Sequence, residues 1–253
     1  MKTTGRGKVK TKAEGERMKG EVQAIFLAAF GLPPSAFGQR SQRASFTLEL
    51  GHGPPAVERN PKMETARKFT SADLALMPDD GQRYEVIEGD LYVSKLPSAE
   101  HQYSCSRLIR FLDVWNDDEL AGVVLGAPGL VFADDDDVAP DVVWVSHERL
   151  AGALDKAGHL TKAPELVVEV LSPGKTNEQR DRVAKLKLYS RRGVSEYWIV
   201  DWMRRLVEVY RRERGALKLE ATLHADDALE SASLPGFSCR VSKLFFTRPP
   251  ARD

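Results

Sequence analysis

The chain has 253 residues, 42% of them hydrophobic and 29% charged, which is length enough to bury a core and an ordinary composition for a globular protein. Lys plus Arg equals Asp plus Glu at 37 each, so no overall field marks a nucleic-acid or membrane partner; such a role has to come from a local patch. Two distant cysteines, Cys105 and Cys239, exclude a disulfide scaffold and a cysteine zinc site and suit a reducing cytoplasm, while no apolar run approaches the roughly 20 residues of a membrane span.

Residues 1–65 hold a basic start, one short apolar run and then a stretch rich in Gly, Pro, Ser and Arg. They read as a flexible basic arm. The apolar run "VQAIFLAAFGL" imitates a signal peptide, but its polar lead carries Glu14 and Glu16 and no small-x-small site follows cleanly. A cytoplasmic chain is therefore expected. Met63 reads as an alternative start for a compact domain expected over residues 66–248.

Within that domain "TSADLALM" predicts a short helix with a hydroxyl cap, and "RYEVIEGDLYVSK" a hairpin turned at Glu88, Gly89 and Asp90. "SAEHQYSCSRLIRFLDVWNDD" reads as a capped amphipathic helix, with Leu108, Phe111, Leu112 and Trp115 at helical spacing. Strands follow at "GVVLG", "GLVFA", "DVVWVS", "ELVVEVLS", "EYWIVDW" and "RLVEVYRR". A short helical segment is expected near 147–154 and a long helix over about 177–192. The last stretch, "LKLEATLHADDALESASLPGFSCRVSKLFF", reads as short strands and a terminal element closing the sheet. "ELVVEV" and "EYWIV" are nearly continuous in apolar character, as in strands covered on both faces. The expected fold is α/β, a mixed central sheet flanked by helices.

Carboxylates interrupt this pattern. Glu169 sits among Val167, Val168, Val170 and Leu171, where a lone ionised group costs several kcal/mol unless it is paired or binds a metal. Asp141 opens "DVVWV" behind Pro140, which fixes the chain entering the strand. Two such acids suit a hard cation, Mg²⁺ or Mn²⁺; the alternative for each is a solvated strand edge or an Arg pair. The louder run Asp134–Asp137 reads as a solvated turn. On the long helix Asp181, Lys185 and Tyr189 share one face at i, i+4 and i+8, with Lys187 about 160° further round. Taken alone, Lys185 and Asp181 also fit an exposed i, i+4 salt bridge. Tyr197, Trp198 and Trp202 read as core aromatics.

The ordered motifs "RYEVIEGDL", "APDVVWV", "PELVVEVLSP", "DRVAKLKLY" and "GVSEYWIVD" resemble the Uma family of restriction-endonuclease-like proteins in the PD-(D/E)XK nuclease superfamily, over roughly residues 68–246. The resemblance implies a restriction-endonuclease-like core and Mg²⁺-dependent endonuclease activity on DNA. Asp141 matches the Pro-Asp motif and Glu169 the acid of the second strand, and both, with the Val170 carbonyl, would hold the metal. Where the superfamily has lysine two positions after that acid, this chain has Leu171, and Lys185 on the next helix takes its place. Glu85 matches an acidic position of the family and is expected as an extra ligand or base, ahead of Glu88 at the turn. His101 is expected outside the ligand set. Basic residues in 174–192 (Lys175, Arg180, Arg182, Lys185, Lys187, Arg191, Arg192) would meet the phosphate backbone. A homodimer is expected by analogy. The competing reading is a nucleic-acid-binding module that keeps the fold without cleaving.

Overall fold

The computed structural model describes residues 67–247, so the basic arm, residues 1–65, lies outside them, as do the first and last residues of the expected domain. Its centre is a six-stranded sheet in the order β10-β9-β8-β7-β6-β3, built from β3 (Gly122–Gly126), β6 (Val142–Ser146), β7 (Leu166–Val170), β8 (Glu196–Asp201), β9 (Leu206–Glu213) and β10 (Ala216–His224). Only the β7–β8 pairing is parallel. That pair needs a crossover, and the long helix between the two strands supplies it. β7 and β8 are buried at every position, which explains their unbroken apolar reading. Mixed sheet and flanking helices agree with the fold expected from sequence.

Alternation along the central strands sorts the core into two layers. Val142, Trp144, Val168, Val170, Trp198 and Val200 face α2 (Ala99–Glu119) through Cys105, Leu108 and Leu112. Val143, Val167, Leu171, Tyr197 and Ile199 face the other side, toward Leu188 and Tyr189. Tyr197 and Trp198 are core aromatics, as their setting in an apolar strand suggests. The second layer also takes Ile87, Leu130 and Val138 from a smaller sheet, β2-β1-β5-β4. Its strands are β1 (Arg83–Ile87), β2 (Asp90–Ser94), β4 (Leu130–Ala133) and β5 (Asp136–Val138).

Local signals account for the element ends. Thr70 and Asp73 form a capping box on α1 (Ser71–Leu74), and the Ser98 side chain accepts from the His101 N–H at the start of α2. The hairpin closes Ile87 onto Asp90 through Glu88 and Gly89, both at positive φ (53° and 78°), the geometry a two-residue turn demands. A one-turn helix, α3 (His147–Leu150), lies where the short segment is expected.

Two features depart from expectation. The long helix is not uniform: α4 (Lys175–Gln179) passes into a π-helical turn (Arg180–Lys185) and then α5 (Leu186–Arg192). The last residues do not extend the central sheet either. β11 (Ala228–Glu230) and β12 (Ser238–Arg240) pair only with each other. With the 3₁₀ turn Val241–Leu244 they cover the α2 face, where Leu229, Leu234, Phe237, Val241, Leu244 and Phe245 are buried. Their apolar residues are spaced by turns rather than run together, which suits a lid on a core layer and not an edge strand.

Arg212 ties α5 to the sheet. It donates to the carbonyls of Tyr189, Ser190, Val194 and Gly215 at 2.7–3.2 Å, which satisfies the helix end beside Gly193 (φ 97°). Arg212→Met keeps the stem and loses these donors. Urea denaturation of that variant should show a loss of about 2 kcal/mol.

Candidate active site

The sheet register brings the two acids together. Val142 faces Val168 and Val143 faces Val167 across the antiparallel β6–β7 pair. Continued by one residue, that register sets Asp141 opposite Glu169, with both side chains on one face. Asp141 is anchored further by the Val170 N–H, which donates to its Oδ2 at 2.8 Å. Glu85 on β1 accepts from the Ala139 N–H at 2.9 Å and so holds the chain just ahead of Pro140 and Asp141. Glu85, Asp141 and Glu169 are all buried, at 1%, 7% and 1% exposure.

Lys185 comes from the helix across this face. Its Nζ lies 2.8 Å from Glu85 Oε1 and 2.9 Å from Glu169 Oε1, and the side chain is fully buried. The surface-pair alternative for Lys185 and Asp181 is therefore corrected: both are buried, and Asp181 is held by Arg180, whose Nε and Nη2 donate at 2.7 and 3.1 Å. Asp181, Lys185 and Tyr189 do share one face, and Lys187 points away to Glu88, as the helical spacing requires. Tyr189 completes the shell, its hydroxyl donating to Glu169 Oε1 at 2.7 Å. The π turn that carries Lys185 is a device often found at functional sites.

The environments drive the acids apart. Burial raises Glu169; the Lys185 charge opposes this, and the charges of Asp141, Asp181 and Glu85 raise it further, to about 8. Burial also acts to raise Asp141, but contact with His101 and the charges of Lys185 and Arg83 outweigh it and bring the group down to about 2. Burial opposes ionisation of Glu85 as well, and there the charges of Lys185 and Arg180 prevail, lowering it. Glu85 and Glu169 thus share one ammonium, and the second of them to ionise holds its proton longer.

Around Asp141 and Glu169 opens a cleft of about 180 Å³, whose wall includes Arg83, Ser94, Lys95, His101, Ser172 and Arg180. Its oxygens suit a hard divalent cation. Every protein contact of Glu169 described above uses Oε1, which leaves Oε2 without a partner among the described residues. The buried Oε2 of Glu85 likewise accepts no hydrogen bond. Val170 meets the site through its N–H; its carbonyl remains a proposed ligand.

His101 is buried with Nε2 3.2 Å from Asp141 Oδ2, beside a candidate ligand rather than among the expected ones. Its position in the first turn of α2 gave no sign of this, because the contact spans 40 residues of sequence. His101, Cys105 and Asp141 gather within 4.8 Å. One ligand atom from each is near enough to the others for a single metal ion; Nε2 of the imidazole faces Asp141 while Nδ1 faces Cys105 Sγ at 3.6 Å. Burial raises the Cys105 thiol and pushes Cys239 up to about 12, so neither is a thiolate at neutral pH. Alkylation by iodoacetamide should be slow at both in the folded protein and complete only after denaturation, as counted by mass spectrometry.

The run of aspartates and the basic helix both need correction. Asp134 and Asp135 are exposed, but Asp136 is fully buried on β5 and binds Arg191 and Arg192. The helix cations are mostly spent on such pairs: Arg182 on Asp201 and Glu208, Lys187 and Arg191 on Glu88, Arg180 on Asp181. Among the described residues of that segment, Lys175 alone makes no ion pair. The helix offers no continuous basic track.

A model of the Uma2 family, described as "Putative restriction endonuclease", matches residues 71–242. Among solved structures the chain is similar to a "putative nuclease belonging to DUF820" from Anabaena variabilis. That match has a TM-score of 0.56 at 17% identity and covers 70% of this chain and 97% of that one. It is also similar to the type IIG restriction endonuclease BpuSI, with a TM-score of 0.33 at 16% identity, over 60% of this chain and 16% of that one. The chain thus spans a small part of BpuSI. A search of curated proteins gives no match. The first likeness shows the fold.

Proposed function

The chain belongs to the Uma2 family, and from that premise we propose that it is a metal-dependent endonuclease hydrolysing phosphodiester bonds of DNA, with Mg²⁺ or Mn²⁺ as cofactor and the cytoplasm as its compartment. The observation that carries this reading is the buried cluster of Asp141, Glu169, Glu85 and Lys185 opening on a polar cleft. Asp141 and Glu169, with the Val170 carbonyl, would hold the cation, and Glu85 stands next to them as an extra ligand or base. Such a cation activates water and neutralises charge building on the phosphate.

The protein's own residues prepare that chemistry. Lys185 substitutes for the missing lysine at Leu171, and its ammonium reaches the Glu169 carboxylate from the helix. It keeps the two glutamates from repelling each other. Tyr189 fixes the rotamer of Glu169, and the Val170 N–H fixes Asp141. Against burial, contact with His101 and the charges of Lys185 and Arg83 hold Asp141 at about 2, so it is ionised at working pH.

The test is cleavage of plasmid and oligonucleotide DNA with Mg²⁺, Mn²⁺ or EDTA. Wild type should nick in either metal and not in EDTA, and Asp141→Ala and Glu169→Ala should each lose about 10²–10³-fold or more in rate. Undiminished nicking by both variants sinks the site. Metal-dependent DNA binding with no cleavage over a fair range of substrates favours the binding module instead.

A further inference from the structure

The helix expected to track the substrate backbone is neutralised by its own ion pairs, so phosphate contacts have to come from elsewhere. The cleft wall carries three cations, Arg83, Lys95 and Arg180. Arg180 is committed: Nε and Nη2 bind Asp181, Nη1 binds Ser94, and the side chain is 8% exposed. Lys95 is exposed on the rim with no partner among the described residues. Arg83 lies between these extremes, at 34% exposure, with Nη1 3.2 Å from Asp141 Oδ1 and 3.0 Å from the Ala139 carbonyl. Both bonds use Nη1, so Nε and Nη2 have no protein partner among the described residues.

The two oxygens of Asp141 are unequal. Oδ2 is held by the Val170 N–H and His101, both fixed by the fold. Oδ1 is held by Arg83, a long side chain in a half-exposed position. A cation entering the site competes with Arg83 for Oδ1 and displaces it with little strain elsewhere. The freed guanidinium then stands in a cleft beside the reacting phosphate, where its planar fork suits two phosphate oxygens.

We propose that Arg83 is an exchangeable phosphate-binding residue: it neutralises Asp141 in the metal-free protein and passes to a substrate phosphate once a divalent cation takes Oδ1. This inference rests on the nuclease reading above and adds a substrate-positioning role to it. It couples loading of the cation to capture of the nucleic-acid backbone, because each step removes the competitor of the other. A residue that merely braces β1 against the Ala139–Asp141 segment predicts something different: its loss would weaken cation and DNA binding together.

Two titrations separate these outcomes. Mn²⁺ binding is measured by calorimetry without DNA, and binding of a fluorescein-labelled DNA duplex by anisotropy in Ca²⁺, for wild type, Arg83→Ala and Arg83→Lys. In Arg83→Ala, Mn²⁺ should bind about fivefold tighter, the worth of one half-exposed ion pair. The duplex should bind about tenfold weaker, with a salt slope lower by about one. Arg83→Lys keeps the charge and should fall between wild type and Arg83→Ala on both axes; it carries the test if the alanine variant does not fold. Unchanged or weaker Mn²⁺ binding in the folded variants overturns the proposal and leaves the nuclease reading standing. Wild type that binds neither Mn²⁺ nor duplex overturns both.

Discussion

Lys185→Met should lower folding stability by about 3–5 kcal/mol, because it removes the ammonium shared by buried Glu85 and Glu169 and leaves the ionised Glu85 only Arg180, 3.8 Å away, to pair with among the described residues. Methionine fills most of the volume, so the loss is electrostatic rather than a cavity. Two consequences distinguish this from simple misfolding. Replacing the carboxylates as well, in Lys185→Met with Glu85→Gln and Glu169→Gln, should recover much of the lost stability, since no charge then remains to be compensated. Saturating Mg²⁺ should also stabilise the single variant more than it stabilises wild type, as measured by thermal melts with and without EDTA. Equal losses in the single and triple variants would show that the ammonium is not what holds the glutamates in place.

On the reading proposed above, Lys185 supplies the charge that the superfamily draws from a lysine at the position of Leu171. Leu171 is fully buried in the layer with Val167 and Tyr197. The helix after β7 crosses that face and delivers Lys185 through its π turn. The positive charge is set by where an Nζ can reach, not by where its Cα lies.

Much of the candidate site was legible because it breaks local rules. Glu169 interrupts a valine run, Asp141 follows a proline at a strand start, and Lys185 shares a helical face with Tyr189; each is a conflict or a periodicity visible within ten residues. What stayed hidden depends on long-range pairing. Asp136 looks identical to its three neighbours, but the Glu88 N–H, 48 residues back, and Arg191 and Arg192, 55 and 56 residues on, hold it in a buried place. Arg83 and His101 reach Asp141 across 58 and 40 residues, and nothing in their own segments marks them. The pairing of the basic helix stayed hidden for the same reason, since most of its charges find acids on other elements. The fold fared better at its centre than at its end: β7 and β8 declare themselves by composition, whereas β11 and β12 are three-residue pieces whose place is decided by the core layer they cover.

Stability of the metal-free protein should fall as pH rises toward 8, and Glu169 is the cause. Its folded value is raised from 4.5 to about 8, first by burial, so between those values the folded protein keeps a proton that the unfolded chain has released. The contribution is complete below about 4.5 and is lost as pH climbs through about 8, at about 1.4 kcal/mol per pH unit while the difference persists. Asp181 is also raised, by burial first, and adds in the same direction. Asp141 has the opposite sign: its lowered value gives stability that is present above 3.8 and lost only as pH falls through about 2, outside this window. Lys185, raised by Glu169 and Glu85 against the cost of burial, keeps its charge throughout. Urea denaturation in EDTA between about pH 5.5 and pH 8 should therefore show a steady decline for wild type and a much shallower one for Glu169→Gln. Saturating Mg²⁺ should flatten the wild-type curve, because a bound cation takes over the charge that the proton had been neutralising. A wild-type curve in EDTA that is flat or rises over this range would mean that Glu169 is already ionised beside Lys185, with the one ammonium sufficing for both glutamates.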